Sequence, residues 1–165
     1  MIREKKHRLP RAAFCGNVLV AFTACVAESR RLFTLANADV VAAFVSHLRR
    51  SAAATHCEVP AYCFMPNHAH VLIQGADGLA DTWQAMTLFK QLSGFWLGRR
   101  SEVQCVWQKD FYDHVTRSSR DVGSQARYIV NNPVRAGLVA RWDEYPYSGA
   151  FPHDLRDILA SAPSA

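Results

Sequence analysis

Two histidines and a tyrosine carry most of the chemistry this chain can do. His68 and His70 lie in Cys63-Phe64-Met65-Pro66-Asn67-His68-Ala69-His70-Val71-Leu72-Ile73-Gln74. There a turn-forming Pro-Asn pair runs into β-branched and aliphatic residues that read as a strand. Strand side chains alternate between faces, so His68 and His70 share one face while Ala69, Val71 and Ile73 share the other. One face is then core. The other carries two imidazoles about 7 Å apart by strand rise, close enough to converge on a metal ion or a phosphate. The plainer alternative is two polar residues on a half-buried strand.

A second stretch, Tyr128-Ile129-Val130-Asn131-Asn132-Pro133-Val134-Arg135-Ala136-Gly137, weighs against that alternative. The spacing predicts a helix from Asp121 to Asn132, ended by Pro133. Tyr128 and Asn132 are four apart and share its last turn. Set opposite the strand histidines, His68, His70 and Asn132 form a three-ligand set and Tyr128 a nucleophile. Pro133 to Gly137 reads as a helical turn that Asn132 can cap, with Pro at its first position and Gly ending it. Capping would compete for the Asn132 oxygen.

Pro66-Asn67-His68-Ala69-His70 resembles the His-hydrophobic-His motif of the single-tyrosine HUH transposases, the IS200-like superfamily. Together with Phe111-Tyr112-Asp113-His114-Val115 and with Tyr128-Ile129 followed by Asn132-Pro133-Val134-Arg135-Ala136-Gly137-Leu138-Val139, the chain resembles the REP-associated tyrosine transposase branch from about Glu58 to Ser148. The resemblance implies a ferredoxin-like HUH fold with the tyrosine helix laid across an antiparallel sheet. It implies that His68, His70 and Asn132 hold a divalent ion, Mg2+ or Mn2+, and that Tyr128 attacks single-stranded DNA carrying REP-like hairpins. The products it implies are a 5'-phosphotyrosine link and a free 3'-hydroxyl, so that strands can be rejoined. Ala69 stands where the family has a larger aliphatic residue, which bears on packing more than on chemistry.

The residues alone leave other readings open. Two imidazoles also suit zinc or nickel, and Cys57 or Cys63 could recruit a structural zinc. A hairpin-DNA-binding regulatory protein without catalysis, or a structural metal-binding protein, are the alternatives to a transesterase. His114 is a candidate for supporting the site. Lys5, Lys6, Arg8, Arg11, Lys90, Arg117, Arg120 and Arg135 are candidates for contacting DNA phosphates.

Composition sets the frame for these residues. The chain has 165 residues, half of them hydrophobic, with 19 Lys and Arg against 14 Asp and Glu, which excludes a disordered chain and fits a polyanionic partner. Five cysteines without close paired spacing fit a reducing cytoplasm. The apolar run from Val18 to Ala27 is too short to span a membrane and reads as a first strand.

The elements that must position the site follow in order. A helix runs from the Asn37-Ala38-Asp39 cap to about Arg50, a strand covers Val59 to Phe64, and the histidine strand comes next. After these come a helix from Thr82 to Leu97, an extended region from Trp107 to Thr116, and the tyrosine helix. This order predicts an α+β architecture, a central antiparallel sheet with helices packed on it. It is read as one domain over residues 1–155, monomeric with a dimer as the alternative, followed by a disordered tail at 156–165.

Overall fold

The computed structural model describes residues 9–101, 106–116 and 122–161. Strand β1 (Leu19–Cys25) leads to α1 (Ala38–Ala54), the hairpin of β2 (Cys57–Met65) and β3 (His68–Gly75), α2 (Thr82–Gly98) and β4 (Tyr112–Thr116). The strands pair antiparallel in the order β4-β1-β3-β2. This βαββαβ arrangement is the ferredoxin-like unit. Onto it the chain adds α3 (Val122–Val130), a single turn α4 (Asn132–Arg135), an edge strand β5 (Ser148–Phe151) beside β2, and α5 (Leu155–Ala160). The expected α+β sheet with helices on it is what forms.

Alternation along the sheet divides the apolar residues into two layers. On one face Val20, Phe22, Ala24, Ala69, Val71 and Ile73 pack with Phe44, Leu48, Met86 and Phe89 of α1 and α2. On the other, Leu19, Leu72, Cys63 and Met65 pack with Ala126, Ile129 and Val130 of α3 and with Leu155 and Leu159 of α5. Strand β2 changes phase between the layers. Its Cys57 and Val59 belong to the first, whereas Ala61, Cys63 and Met65 belong to the second. The register shift between Glu58 and Ala61, around Pro60, explains the change, because one extra residue in a strand exchanges its faces.

Several sequence boundaries move. Helix α1 runs four residues past Arg50, since Ser51 and Ala52 are buried and continue its apolar stripe. Asn37 stands at its N-cap position but makes no side-chain cap bond. Its side-chain amide donates to the Leu32 carbonyl at 2.9 Å instead. The tail expected from residue 156 begins as helix α5. Asp154 caps it by accepting from the Arg156 amide at 2.7 Å, and Leu155 and Leu159, four apart, face the second layer. Arg127 of α3 donates to the Leu159 carbonyl at 2.8 Å, tying that helix to α5. Among the described residues no helix is long and apolar enough to cross a membrane.

Because Leu159 is only 7% exposed, Leu159→Ala should lower unfolding stability by about 2–4 kcal/mol. Urea denaturation followed by circular dichroism checks this, and a change near zero would return the segment to the status of a tail.

Candidate functional site

The hairpin turn sets the first half of the site. The Pro66 carbonyl accepts from the Phe33 amide at 3.0 Å and the Asn67 carbonyl from the Val26 amide at 2.9 Å, so the turn backbone is held from both sides. That fixes Asn67, whose Oδ1 lies 2.8 Å from His68 Nδ1. A carbonyl oxygen only accepts, so Nδ1 of His68 carries the hydrogen and Nε2 is bare. On the neighbouring strand Thr23 pairs in register with His70, and its Oγ1 lies 3.0 Å from His70 Nδ1. The two Nε2 atoms face each other at 3.1 Å, which requires one proton between them. His70 Nε2–H therefore donates to His68, and the Thr23 hydroxyl donates to His70 Nδ1.

This pair fits a divalent cation. For metal–nitrogen bonds of about 2.1 Å, two ligands at a right angle stand about 3.0 Å apart, close to the observed separation. With both Nε2 atoms turned to a cation, the His70 proton would move to Nδ1. Thr23 can then accept it, because a hydroxyl serves in either sense. Burial lowers the pKa of His68, and burial, His68 and the Arg135 charge together push His70 down to about 4. Both rings are thus neutral near pH 7, the form that ligates.

The tyrosine helix supplies the other half. Its buried side, Ala126, Ile129 and Val130, seats it on the histidine face of the sheet, leaving Tyr128 outward and 66% exposed. Tyr128, Ile129, His70, Thr23, Tyr112, Asp113, His114 and Gln125 line one cleft of about 410 Å³. The structure therefore brings Tyr128, His70 and the supporting candidate His114 together, whereas His68, bonded to His70, and Asn132 are not among the residues lining this cleft. Tyr112 enters the same cleft from β4.

Asn132 sits at the start of α4 but does not cap it. The cap position is Asn131, without a side-chain cap bond. The Asn132 amide group donates to the Tyr128 and Ile129 carbonyls at 3.3 and 2.9 Å, and its Oδ1 accepts from Arg135 Nη2 at 2.8 Å. The turn after it is a Schellman motif. Leu138 N–H reaches the Pro133 carbonyl and Gly137 N–H the Val134 carbonyl, with Gly137 at φ 69°, where a residue without Cβ meets no penalty. Helical side chains lean toward the N-terminus, so Arg135 reaches back over Tyr128, its guanidinium carbon 4.0 Å from the ring centroid.

The other candidates divide. Lys90 donates to the carbonyls of Gln108, Lys109 and Asp110 at 2.7 to 3.3 Å and holds that loop. Arg11 is ion-paired to Asp81 at 2.7 Å and lies over Trp83. Both are engaged in tertiary structure rather than displayed toward the cleft. Lys5, Lys6, Arg8, Arg117 and Arg120 lie outside the described residues. Cys57 and Cys63 face different layers and cannot join one site. Burial also pushes the Cys63 thiol up to about 11. Among the described residues no group of three or more His, Cys, Asp and Glu side chains could hold a metal ion. Thr23 and Asn67 are the site residues that sequence reasoning missed. The only signal was a lone hydroxyl interrupting an apolar strand, and a turn asparagine next to the first histidine.

The depressed His70 pKa has a stability consequence in metal-free protein. The unfolded ring takes up a proton below its ordinary value of 6.5, whereas the folded ring does so only near 4. Stability should therefore be full above pH 6.5 and fall as pH drops toward 4. Thermal melts in chelator-treated buffer across that range test it, and His70→Gln should flatten the slope.

No family model matches the chain. In sequence it is similar to a Haemophilus influenzae protein named "Putative REP-associated tyrosine transposase", 30% identical over 109 residues, covering 60% of this chain and 61% of that protein. It is also similar to the REP-associated tyrosine transposase of Escherichia coli K12, 28% identical over 94 residues, covering 55% and 53%. The chain thus spans about half to three fifths of the length of these relatives. In structure it superposes on a REP-associated tyrosine transposase bound to a REP hairpin with a TM-score of 0.71 and 19% identity, over 88% of this chain and 82% of the other, which shows a shared fold.

Proposed function

We propose that this protein is a metal-dependent single-strand DNA transesterase, a transposase of the REP-associated tyrosine type, acting on hairpin-bearing DNA. The observation that carries this reading is an exposed tyrosine lining one cleft with His70, whose Nε2 faces that of His68. The similarity to REP-associated tyrosine transposases, one of them solved with a REP hairpin, supports DNA of that kind as the substrate.

In the proposed reaction the Tyr128 hydroxyl oxygen attacks a backbone phosphorus. A bond forms between the phenol oxygen and phosphorus, the bond from phosphorus to the 3'-oxygen breaks, and the 3'-oxygen leaves as a hydroxyl. The proton lost by the phenol balances the one gained by the leaving oxygen, exchanged through water. The DNA remains linked as a 5'-phosphotyrosine, so a 3'-hydroxyl can reverse the step. A divalent cation, Mg2+ or Mn2+, would neutralise charge developing on the non-bridging oxygens. His68 and His70 would hold it, aligned by Asn67 and Thr23, with Asn132 as the oxygen donor. His114 and Tyr112 line the cleft where the flanking nucleotide would pass, and the exposed Arg135 is the basic candidate placed beside the tyrosine.

Two experiments test this. Tyr128→Phe keeps the ring and removes the nucleophile. It should abolish an SDS-resistant adduct with labelled single-stranded hairpin DNA while leaving binding within about threefold, because stacking and phosphate contacts persist. An adduct that survives in this variant and maps to Tyr112 by peptide mass spectrometry would defeat the assignment. Tight hairpin binding without an adduct in the wild type would favour a binding protein instead.

The second experiment concerns the cation. His68→Ala with His70→Ala should eliminate Mn2+ binding in calorimetry without unfolding the chain. Thr23→Val should weaken binding by about 10-fold or more and Thr23→Ser should restore it, as expected of a residue that orients a ligand. Loss of fold on chelation would point to a structural metal.

A further inference from the structure

The Asn132 oxygen that the proposed site needs is already taken. Arg135 Nη2 donates to it at 2.8 Å and Nη1 donates to the Tyr128 carbonyl at 3.2 Å, while the guanidinium lies across the Tyr128 ring. Tyr128, Asn132 and Arg135 follow one another at spacings of four and three, on one face of the α3–α4 rod. The Schellman turn at Gly137 anchors the backbone that carries Arg135. Its side chain can therefore leave by bond rotation alone, and it is exposed to solvent.

The electrostatics run in the same direction. Arg135 holds its positive charge over the ring of Tyr128, which lines the same cleft as His70, and a cation seated at the histidines would be repelled by it. Both acceptors that now hold the guanidinium are neutral. A phosphodiester offers it anionic oxygens instead, so that acceptor as well as donor is ionised. Guanidinium also matches phosphate with two parallel donors.

We propose that Arg135 is a latch on the Asn132 oxygen, keeping the cation seat incomplete until a DNA phosphate draws the guanidinium away. This rests on the transesterase reading above and adds a coupling to it. Cation and single-stranded DNA bind cooperatively, and the two-histidine seat gains its third ligand when substrate binds. By linkage each ligand tightens the other by the same factor. Arg135 is a positioning residue in this scheme. It serves the seat by releasing Asn132 and serves the substrate by taking a phosphate.

The test is Mn2+ titration calorimetry on Tyr128→Phe protein, which cannot form the adduct, with and without a single-stranded hairpin oligonucleotide. The oligonucleotide should tighten Mn2+ by about 10-fold. Adding Arg135→Gln should tighten Mn2+ in the absence of DNA by a similar factor and reduce the oligonucleotide effect to within about threefold. Oligonucleotide affinity should fall in the same variant, so the two ligands respond with opposite signs, which a merely structural arginine would not produce. Unchanged Mn2+ affinity in Arg135→Gln would overturn the latch. So would the absence of an oligonucleotide effect in the Tyr128→Phe parent, a measurement that does not depend on the second variant folding. If Mn2+ binding requires His68 and His70 but ignores Arg135 and DNA, only the latch fails. If it does not require the histidines, the reading of the site fails with it.

Discussion

Strand β3 is covered on both faces, and its alternation is the constraint on which the site depends. Ala69, Val71 and Ile73 are fully buried among the residues of α1 and α2. The intervening His68 and His70 are thereby forced to the opposite face, where α3 lies. A slip of one residue would bury two imidazoles in an aromatic core and turn three aliphatic side chains to the face where the cleft opens. The small Ala69 pairs across the sheet with Ala24 of β1 and Phe64 of β2, all three fully buried.

A central strand also gives the histidines neighbours on both sides, and these decide how the rings present themselves. Thr23 comes from β1 and Asn67 from the hairpin turn, so each ring has its Nδ1 occupied and its Nε2 directed to the other. The choice of a hydroxyl beside His70 has a physical logic. A carboxylate would favour the charged ring, and a backbone carbonyl would allow one tautomer only. A hydroxyl permits the proton to sit on either nitrogen. The buried environment then keeps both rings neutral. On the facing element α3 ends at Val130, the single turn α4 with Pro133 near its start follows at once, and Gly137 closes that turn, so that an amide and a guanidinium are brought to the same tyrosine.

The motifs were legible where function and local structure coincide. Pro66-Asn67 marked the hairpin, the alternation after it marked the strand, and Pro133 with Gly137 marked the short turn beyond the tyrosine helix. The order of strands and helices carried the α+β class. Other features were misread because tertiary partners override local signals. Asn37 stands at the N-cap of α1 with its amide turned to the Leu32 carbonyl, and Asn132 lies inside α4, one residue past the cap, with its oxygen on Arg135, so neither side chain makes a cap bond. Lys90 looked like a free basic residue and instead binds three carbonyls of the Gln108–Asp110 loop. Residues 156–160 looked like the start of a fading tail because one further leucine, Leu159, is a weak signal until a sheet face is present to receive it.

By itself the sequence determined which chemistry the chain has available. The types and spacings of His68, His70, Tyr128 and Asn132 are local properties, set by strand and helix periods that act over a few residues. Only the tertiary structure decided how those groups face one another. Thr23 is 47 residues from His70, and it meets that ring because β1 lies beside β3 in one register. The bulge at Pro60 turned Cys63 toward the histidine layer and Cys57 away from it, a change of face that no period reveals. Such pairings are settled by long-range packing of the two layers, whose energy is shared among many residues and written in no single motif.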